Sequence, residues 1–220
     1  MTGHASTLQP KQRFAFAEAY DVAVKAARSM PDLIRCRSRL GDSFVERIML
    51  AVTEVNGCPA CAYEHAKMAL RAGMNSDEIR QMLSGEYEGV PDGELPALMF
   101  AQHYADSRGN PDRAAWVAIE KEYGPDLARG ILGAARVMML GNVIGLAYSG
   151  LKAKNAGEPL RGSSAPRDAA MMIFGVLNLP VAVAQAALSN AIRRPLVEGT
   201  EEGERTTGGA FQPGFEWPAS

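Results

Sequence analysis

Two of the chain's three cysteines and one of its three histidines stand in one stretch: Asn56, Gly57, Cys58, Pro59, Ala60, Cys61, Ala62, Tyr63, Glu64 and His65. A dithiol with an imidazole four residues past its second sulfur has the parts for thiol chemistry. One sulfur attacks, the other resolves, and the histidine moves a proton. Asn56 and Gly57 suit the left-handed backbone that ends a helix, and Pro59 suits the first position of the next. Cys58 is therefore predicted at an N-cap and Cys61 in the first turn, where unpaired N–H groups and the helix dipole favour a thiolate. At roughly 100° per residue, Cys61 lies about 300° and His65 about 340° around the helix from Cys58, so the imidazole falls angularly between the sulfurs. Ala62, Ala69 and Ala72 share that narrow side, while Tyr63, Glu64, Lys67 and Arg71 take the solvated one. The spacing leaves two other readings open. One is half of a zinc site, with His65 as third ligand and Cys36 supplied by tertiary geometry; the other is inert packing.

The element before this stretch must position it. A helix is predicted over 44–55, capped by Asp42 or Ser43. Phe44, Ile48, Ala51 and Val55 form its apolar stripe, with Val45 and Val52 beside them; Arg47 and Glu54 lie together on a side expected to be solvated. Glu46 has Met49 and Leu50 as angular neighbours and Thr53 behind it. It is either a buried carboxylate placed for general-base work or an edge glutamate that reaches water.

The remaining chain also reads as helical. An Ala-rich helix over 12–30 is expected to stop at Pro31. A short basic segment over 32–40 follows, read as a brief helix or a turn, carrying Cys36 as a partly buried structural thiol and ending at Gly41. After Gly73, Asn75 caps a short helix to 83, with Glu78 at its third position as in a capping box. A loop over 84–93 leads to a helix over 94–107, where His103 reads as a surface or satisfied histidine. Asn110, Pro111 and Asp112 open a helix over 113–123, which Gly124 and Pro125 break. The next helix, 125–151, is rich in small residues and is expected at the centre or on an oligomer seam; its Asn142 reads as a buried amide satisfied by a backbone carbonyl. A loop over 152–167 precedes an apolar stretch over 168–188, split near Pro180. From 193 onward an extended tail with Phe211, Phe215 and Trp217 is expected to pack on the body or on a partner subunit. Strand-like alternation, a phosphate loop and a nucleotide fingerprint are all lacking, so no cofactor is called for. The organisation read from this is a helical domain over 1–155 and a C-terminal extension over 156–220.

Composition narrows the function classes. At 220 residues, 47% apolar and 22% charged, with a formal charge of -2, the chain has the make-up of a soluble globular protein. That charge gives no reason to expect nucleic acid or an anionic membrane as a partner. Residues 1–11 hold no apolar run, so no secretory signal is expected. The run 131–148 is interrupted by Arg136 and Asn142 and reads as a buried helix, not a membrane span. In a reducing cytoplasm, the compartment expected here, CxxC is catalytic or metal-binding.

The stretch 44–74, with Asp77, Glu78 and Ile79 after it, resembles the carboxymuconolactone decarboxylase superfamily in its alkylhydroperoxidase D-like branch. The matching pattern is Glu46, twelve residues before Cys58, then Cys61, then His65 four residues later; the likeness extends over about 10–155. It implies an all-α orthogonal helical bundle, a homo-oligomer, and reduction of an organic hydroperoxide or a small disulfide, with electrons from an unidentified thiol donor. The two cysteines would cycle between dithiol and disulfide, and Glu46 and His65 would form a proton relay. The alkylhydroperoxidase proper has a second histidine just before its second cysteine; Ala60 stands there in this chain, so the relay is shorter. True decarboxylases of the superfamily lack CxxC, which disfavours lactone decarboxylation. The alternative within the resemblance is a non-redox member, whether metal-binding, scaffolding or decarboxylase-like, with a vestigial CxxC.

The spacing makes one direct prediction. After mild oxidation, peptide mapping should link Cys58 to Cys61 and leave Cys36 free; a dominant cross-link through Cys36 would contradict the dithiol reading.

Overall fold

The computed structural model describes residues 8–10 and 13–197. The described residues form seven helices and no strand: α1 (Phe16–Leu40), α2 (Asp42–Asn56), α3 (Pro59–Arg71), α4 (Ser76–Leu83), α5 (Leu95–Asp106), α6 (Arg113–Asn155) and α7 (Ala165–Ala191). This is the all-α bundle expected. α6 is its axis: α1, α2, α3, α5 and α7 all pack on it. As predicted, Gly124 breaks α6 near its start, with φ 75° and ψ 158°. The part beyond the break is the central buried helix, with Ala128, Ile131, Leu132, Ala134, Ala135 and Met139 wholly buried.

Small residues set how closely the helices approach. A Cβ at Gly130 would stand 2.6 Å from Cys36 Cβ, and one at Gly133 would stand 3.0 Å from both Leu33 Cβ and Ser29 O. α1 and α6 are therefore in near-backbone contact. That contact also explains the first correction. α1 does not stop at Pro31 but runs through it to Leu40, so 32–40 is helical, as one of its two readings had it, but as the continuation of α1 and not a separate element. Proline forfeits one N–H···O bond, but its φ is helical. Ser29, Leu33 and Cys36, buried on both sides of it, keep the helix straight enough to lie on α6. Cys36 is 1% exposed, more completely buried than expected, and its Sγ donates to Asp126 O at 3.3 Å.

Pro180 is a parallel case. α7 is continuous through it and begins at Ala165, because Ala182 and Ala186 beyond the proline pack on Ala23 and Val24 of α1. The loop before α7 is correspondingly shorter than 152–167, since α6 extends to Asn155. α2 begins at Asp42 itself, behind Gly41, with no side-chain cap; Asp42 Oδ1 accepts from Arg37 Nε at 2.8 Å instead.

The solvated side expected for α2 is not solvated. Arg47 is 11% exposed and donates to Glu78 at 2.6 Å and to Glu94 at 2.9 Å, which ties α2 to α4 and to the residue before α5. Burial holds the Glu94 carboxyl above its ordinary value, although Arg47 opposes it. Glu78 thus spends its carboxylate on Arg47, while Asn75 Oδ1 accepts from the N–H groups of Asp77 and Glu78 at 3.0 and 2.8 Å. Glu54 is half-buried and accepts from Gln102.

α6 and α7 are each long and apolar enough to cross a membrane; 72% of the apolar window of α6 is buried inside the fold, against 17% for α7. α7 exposes Ile173, Val176, Leu177, Val181 and Leu188. The tail residues Phe211, Phe215 and Trp217 lie outside the described residues.

Close packing at Gly130 predicts a sign reversal between two like substitutions. Replacing a helical glycine with alanine gains about 1 kcal/mol of propensity. Overpacking costs about 1–3 kcal/mol. Gly175→Ala, whose new Cβ would meet only Ile144 at 3.8 Å, should raise the urea midpoint, and Gly130→Ala should lower it. Equal shifts would show that α1 and α6 are not in backbone contact.

Candidate active site

The turn between α2 and α3 is built as the sequence implies. Gly57 adopts φ 64° and ψ 43°, and its N–H donates to Thr53 O at 2.9 Å. Glycine is needed here twice over: the backbone is left-handed, and a Cβ would stand 2.8 Å from Gln9 C. The chain then reverses. Cys58 is the N-cap of α3, with Pro59 directly after it, and Cys58 Sγ accepts from the Cys61 N–H at 3.3 Å. The hydroxyl of Ser149 on α6 accepts from the Ala60 N–H at 3.2 Å. The free donors at the start of α3 thus converge on one sulfur and one hydroxyl.

Cys58 and Cys61 are disulfide-bonded, with Cα atoms 5.4 Å apart. Cys58 is wholly buried; Cys61 is 7% exposed and lies 3.5 Å from Gly141 O. Both sulfurs rest on Gly145 of α6, where a Cβ would come within 2.7 Å of Cys58 Sγ and closer still to Cys61 Sγ.

Glu46 is 2% exposed, so of the two readings open at the sequence level the buried one holds. Its Oε2 lies 2.8 Å from His65 Nδ1. At 1.5 Å per residue, Glu46 stands about 16 Å up α2 from Gly57 and His65 about 12 Å along α3. The two meet because the helices fold back on each other. With Glu46 as carboxylate, Nδ1 donates and Nε2 is left as the basic nitrogen, facing the same helix side as the sulfur four residues earlier. The His65 side chain is 15% exposed, which leaves it reachable by a small molecule.

Asn142 clamps this hairpin to α6, by a route other than the backbone carbonyl expected. Its Oδ1 accepts from Asn56 Nδ2 at 2.9 Å and its Nδ2 donates to Thr53 Oγ1 at 3.3 Å. Sequence reasoning missed Gly145 and Ser149. Both are visible as small residues on a helix of small residues, but only the crossing of α3 over α6 picks them out. Cys36 belongs to a different place. It packs at Gly130, fifteen residues and about 22 Å along α6 from Gly145. Among the described residues no three His, Cys, Asp or Glu side chains converge on a metal-sized site. His103 accepts from the Asp112 N–H at 3.2 Å, the satisfied role expected of it.

Gly145 gives the site its own test. In the reduced protein, Gly145→Ala should push α3 away from α6, speed alkylation of Cys61 and lower stability by about 1–3 kcal/mol. Unchanged alkylation and stability would mean that the sulfurs do not rest on this glycine.

No curated protein and no solved structure matches the chain. Residues 23–106 match the Carboxymuconolactone decarboxylase family, a span from within α1 to the end of α5 that holds Glu46, Cys58, Cys61 and His65. α6, which supplies Gly145, Ser149 and Asn142, lies beyond the match. Over residues 23–106 the chain is thus similar to the carboxymuconolactone decarboxylase family.

Proposed function

We propose that the protein is a thiol-dependent peroxidase or dithiol oxidoreductase of the alkylhydroperoxidase D-like kind, with Cys61 attacking, Cys58 resolving, and His65 and Glu46 moving the proton. The observation that carries this reading is the buried 2.8 Å Glu46–His65 hydrogen bond one helical turn past a paired CxxC. A packing histidine does not require a buried carboxylate as its partner, because burying that charge is costly.

The assignment of roles follows from access and proton supply. Cys61 is the more exposed sulfur and stands four residues from the imidazole, whereas Cys58 is enclosed at the N-cap. In the reduced protein His65 Nε2 takes the Cys61 thiol proton. The thiolate attacks the terminal oxygen of a hydroperoxide, the O–O bond breaks, and the alkoxide leaves with the proton from His65 as an alcohol. Cys58 then attacks the Cys61 sulfenate; an S–S bond forms and water departs. Two electrons pass from the dithiol to the peroxide, and an external thiol donor restores the dithiol. Glu46 fixes the His65 tautomer and stabilises the imidazolium. A cleft of about 660 Å³ is lined by Pro59 and Ala60, the two residues between the cysteines in sequence, and by Tyr63, Tyr148 and Leu160, though by neither cysteine; such walls beside the dithiol suit an organic hydroperoxide or a small organic disulfide.

The same proposal includes a cytoplasmic location, where a dithiol is kept reduced. It also includes a homo-oligomer, supported by the exposed apolar residues of α7. The C-terminal extension, 156–220, is proposed to serve that assembly and not the chemistry.

General-base help is worth ~10²–10⁴-fold in rate. Glu46→Gln should slow hydroperoxide turnover by that order and shift the pH–rate profile, with far-ultraviolet circular dichroism unchanged. Glu54 is unsuited as a control because it is packed against Gln102. Glu122, exposed on α6 and outside the lining of that cleft, is the control. If Glu46→Gln turns over as fast as Glu122→Gln, the relay is wrong.

A further inference from the structure

A cavity of about 270 Å³ lies where α1, the α5–α6 connection, α6, α7 and the segment after α7 converge. Four cations line it, Lys25, Arg28, Arg136 and Arg194, and among the described residues its only carboxylate is Asp21. Asp21 is engaged by Lys25 at 2.7 Å, and Lys25 Nζ also donates to Gly109 O at 3.0 Å and Asn110 Oδ1 at 2.8 Å. Arg136 and Arg194 also border the space.

Arg136 is the unusual one. It is 1% exposed, the largest fully buried side chain among the described residues. Its guanidinium donates to the Tyr104 hydroxyl at 3.2 Å, the Ser29 hydroxyl at 2.8 Å and Leu196 O at 2.5 Å. All three acceptors are neutral. Arginine stays charged in proteins and carries five N–H donors in a planar fork, so two donors are left over, and the charge meets the face of the Tyr104 ring at 5.9 Å but no carboxylate among the described residues. Hydrogen bonds alone would suffice to tie α6 to its neighbours; a fixed buried charge is needed only if an anion meets it. Other groups frame the same space. Arg28 donates to Arg194 O at 2.8 Å and Pro195 O at 3.2 Å, which draws the segment bearing Arg194 across the cavity. Gln185 Oε1 accepts from the Tyr20 hydroxyl at 2.6 Å, leaving its amide nitrogen as a donor.

We propose that this cavity binds a small oxyanion-bearing molecule, a carboxylate or a phosphate, at the Arg136 fork, with Arg194 and the Gln185 amide closing round it. The volume exceeds what a bare phosphate needs, so a small organic acid or phosphate ester fits. The site stands about two and a half turns along α6 from Gly145, and it does not depend on the thiol reading.

Calorimetric titration of the full chain at constant ionic strength tests it, with inorganic phosphate and malonate as probes and chloride as control. Saturable binding of one or both probes is expected, and which of them binds distinguishes a phosphate site from a carboxylate site. Arg136→Lys keeps the charge but loses the fork and should weaken binding at least about tenfold; Arg194→Gln should weaken it too. If Arg136→Lys does not fold, Arg194→Gln and Gln185→Ala decide. The proposal is overturned if neither probe exceeds chloride or if the folded variants bind like the parent. It is equally overturned if binding appears only after Glu198, Glu201, Glu202 and Glu204 are all changed to glutamine, since the chain's own carboxylates would then be the occupants.

Discussion

A carboxylate that is 2% exposed must find a partner, and Glu46 finds His65 at 2.8 Å. Unpaired, such a charge would cost several kcal/mol. The pairing requires α3 to fold back along α2, which requires a reversal within two residues. That in turn requires a left-handed glycine at 57 and a residue at 58 that caps a helix. The residue at 58 is a cysteine. One geometric constraint therefore fixes the helix hairpin, places a sulfur at the positive end of a helix, and aims an imidazole along the face that carries the second sulfur.

α6 makes the arrangement hold. Three of its glycines admit neighbours to backbone distance: Gly130 and Gly133 receive α1, and Gly145 receives the two sulfurs. Its polar residues do the fastening. Asn142 binds the end of α2 and Ser149 binds the start of α3. The candidate site is thus a joint product of a segment that carries the two cysteines, Glu46 and His65 and a later helix that packs against them. Arg136 on the same helix faces elsewhere and serves another cavity.

The candidate set was legible because its members lie within twenty residues and helical phase relates them. Gly57, the Cys58 cap, Pro59 and the side carrying His65 all followed from local rules. Glu46 could be narrowed to two readings but not decided, because its fate depends on the angle between α2 and α3. Long-range packing set the limits elsewhere. Arg47 was expected in water, yet its partners Glu78 and Glu94 are 31 and 47 residues away. Pro31 and Pro180 were expected to break helices, yet buried contacts on both sides of each outweigh the lost bond. A local propensity yields where the same element has a large partner surface, and sequence periodicity does not report that surface.

The central claim is that Cys61 is the sulfur that attacks, served by His65. Reduced Cys58→Ser protein, which has no resolving thiol, treated with one equivalent of an organic hydroperoxide and a sulfenate trap, tests this most directly by peptide mass spectrometry. The account predicts a trapped sulfenate on Cys61, with one alcohol released per chain. A sulfenate on Cys36, none at all, or equal trapping on Cys58 in the reciprocal Cys61→Ser protein would contradict it.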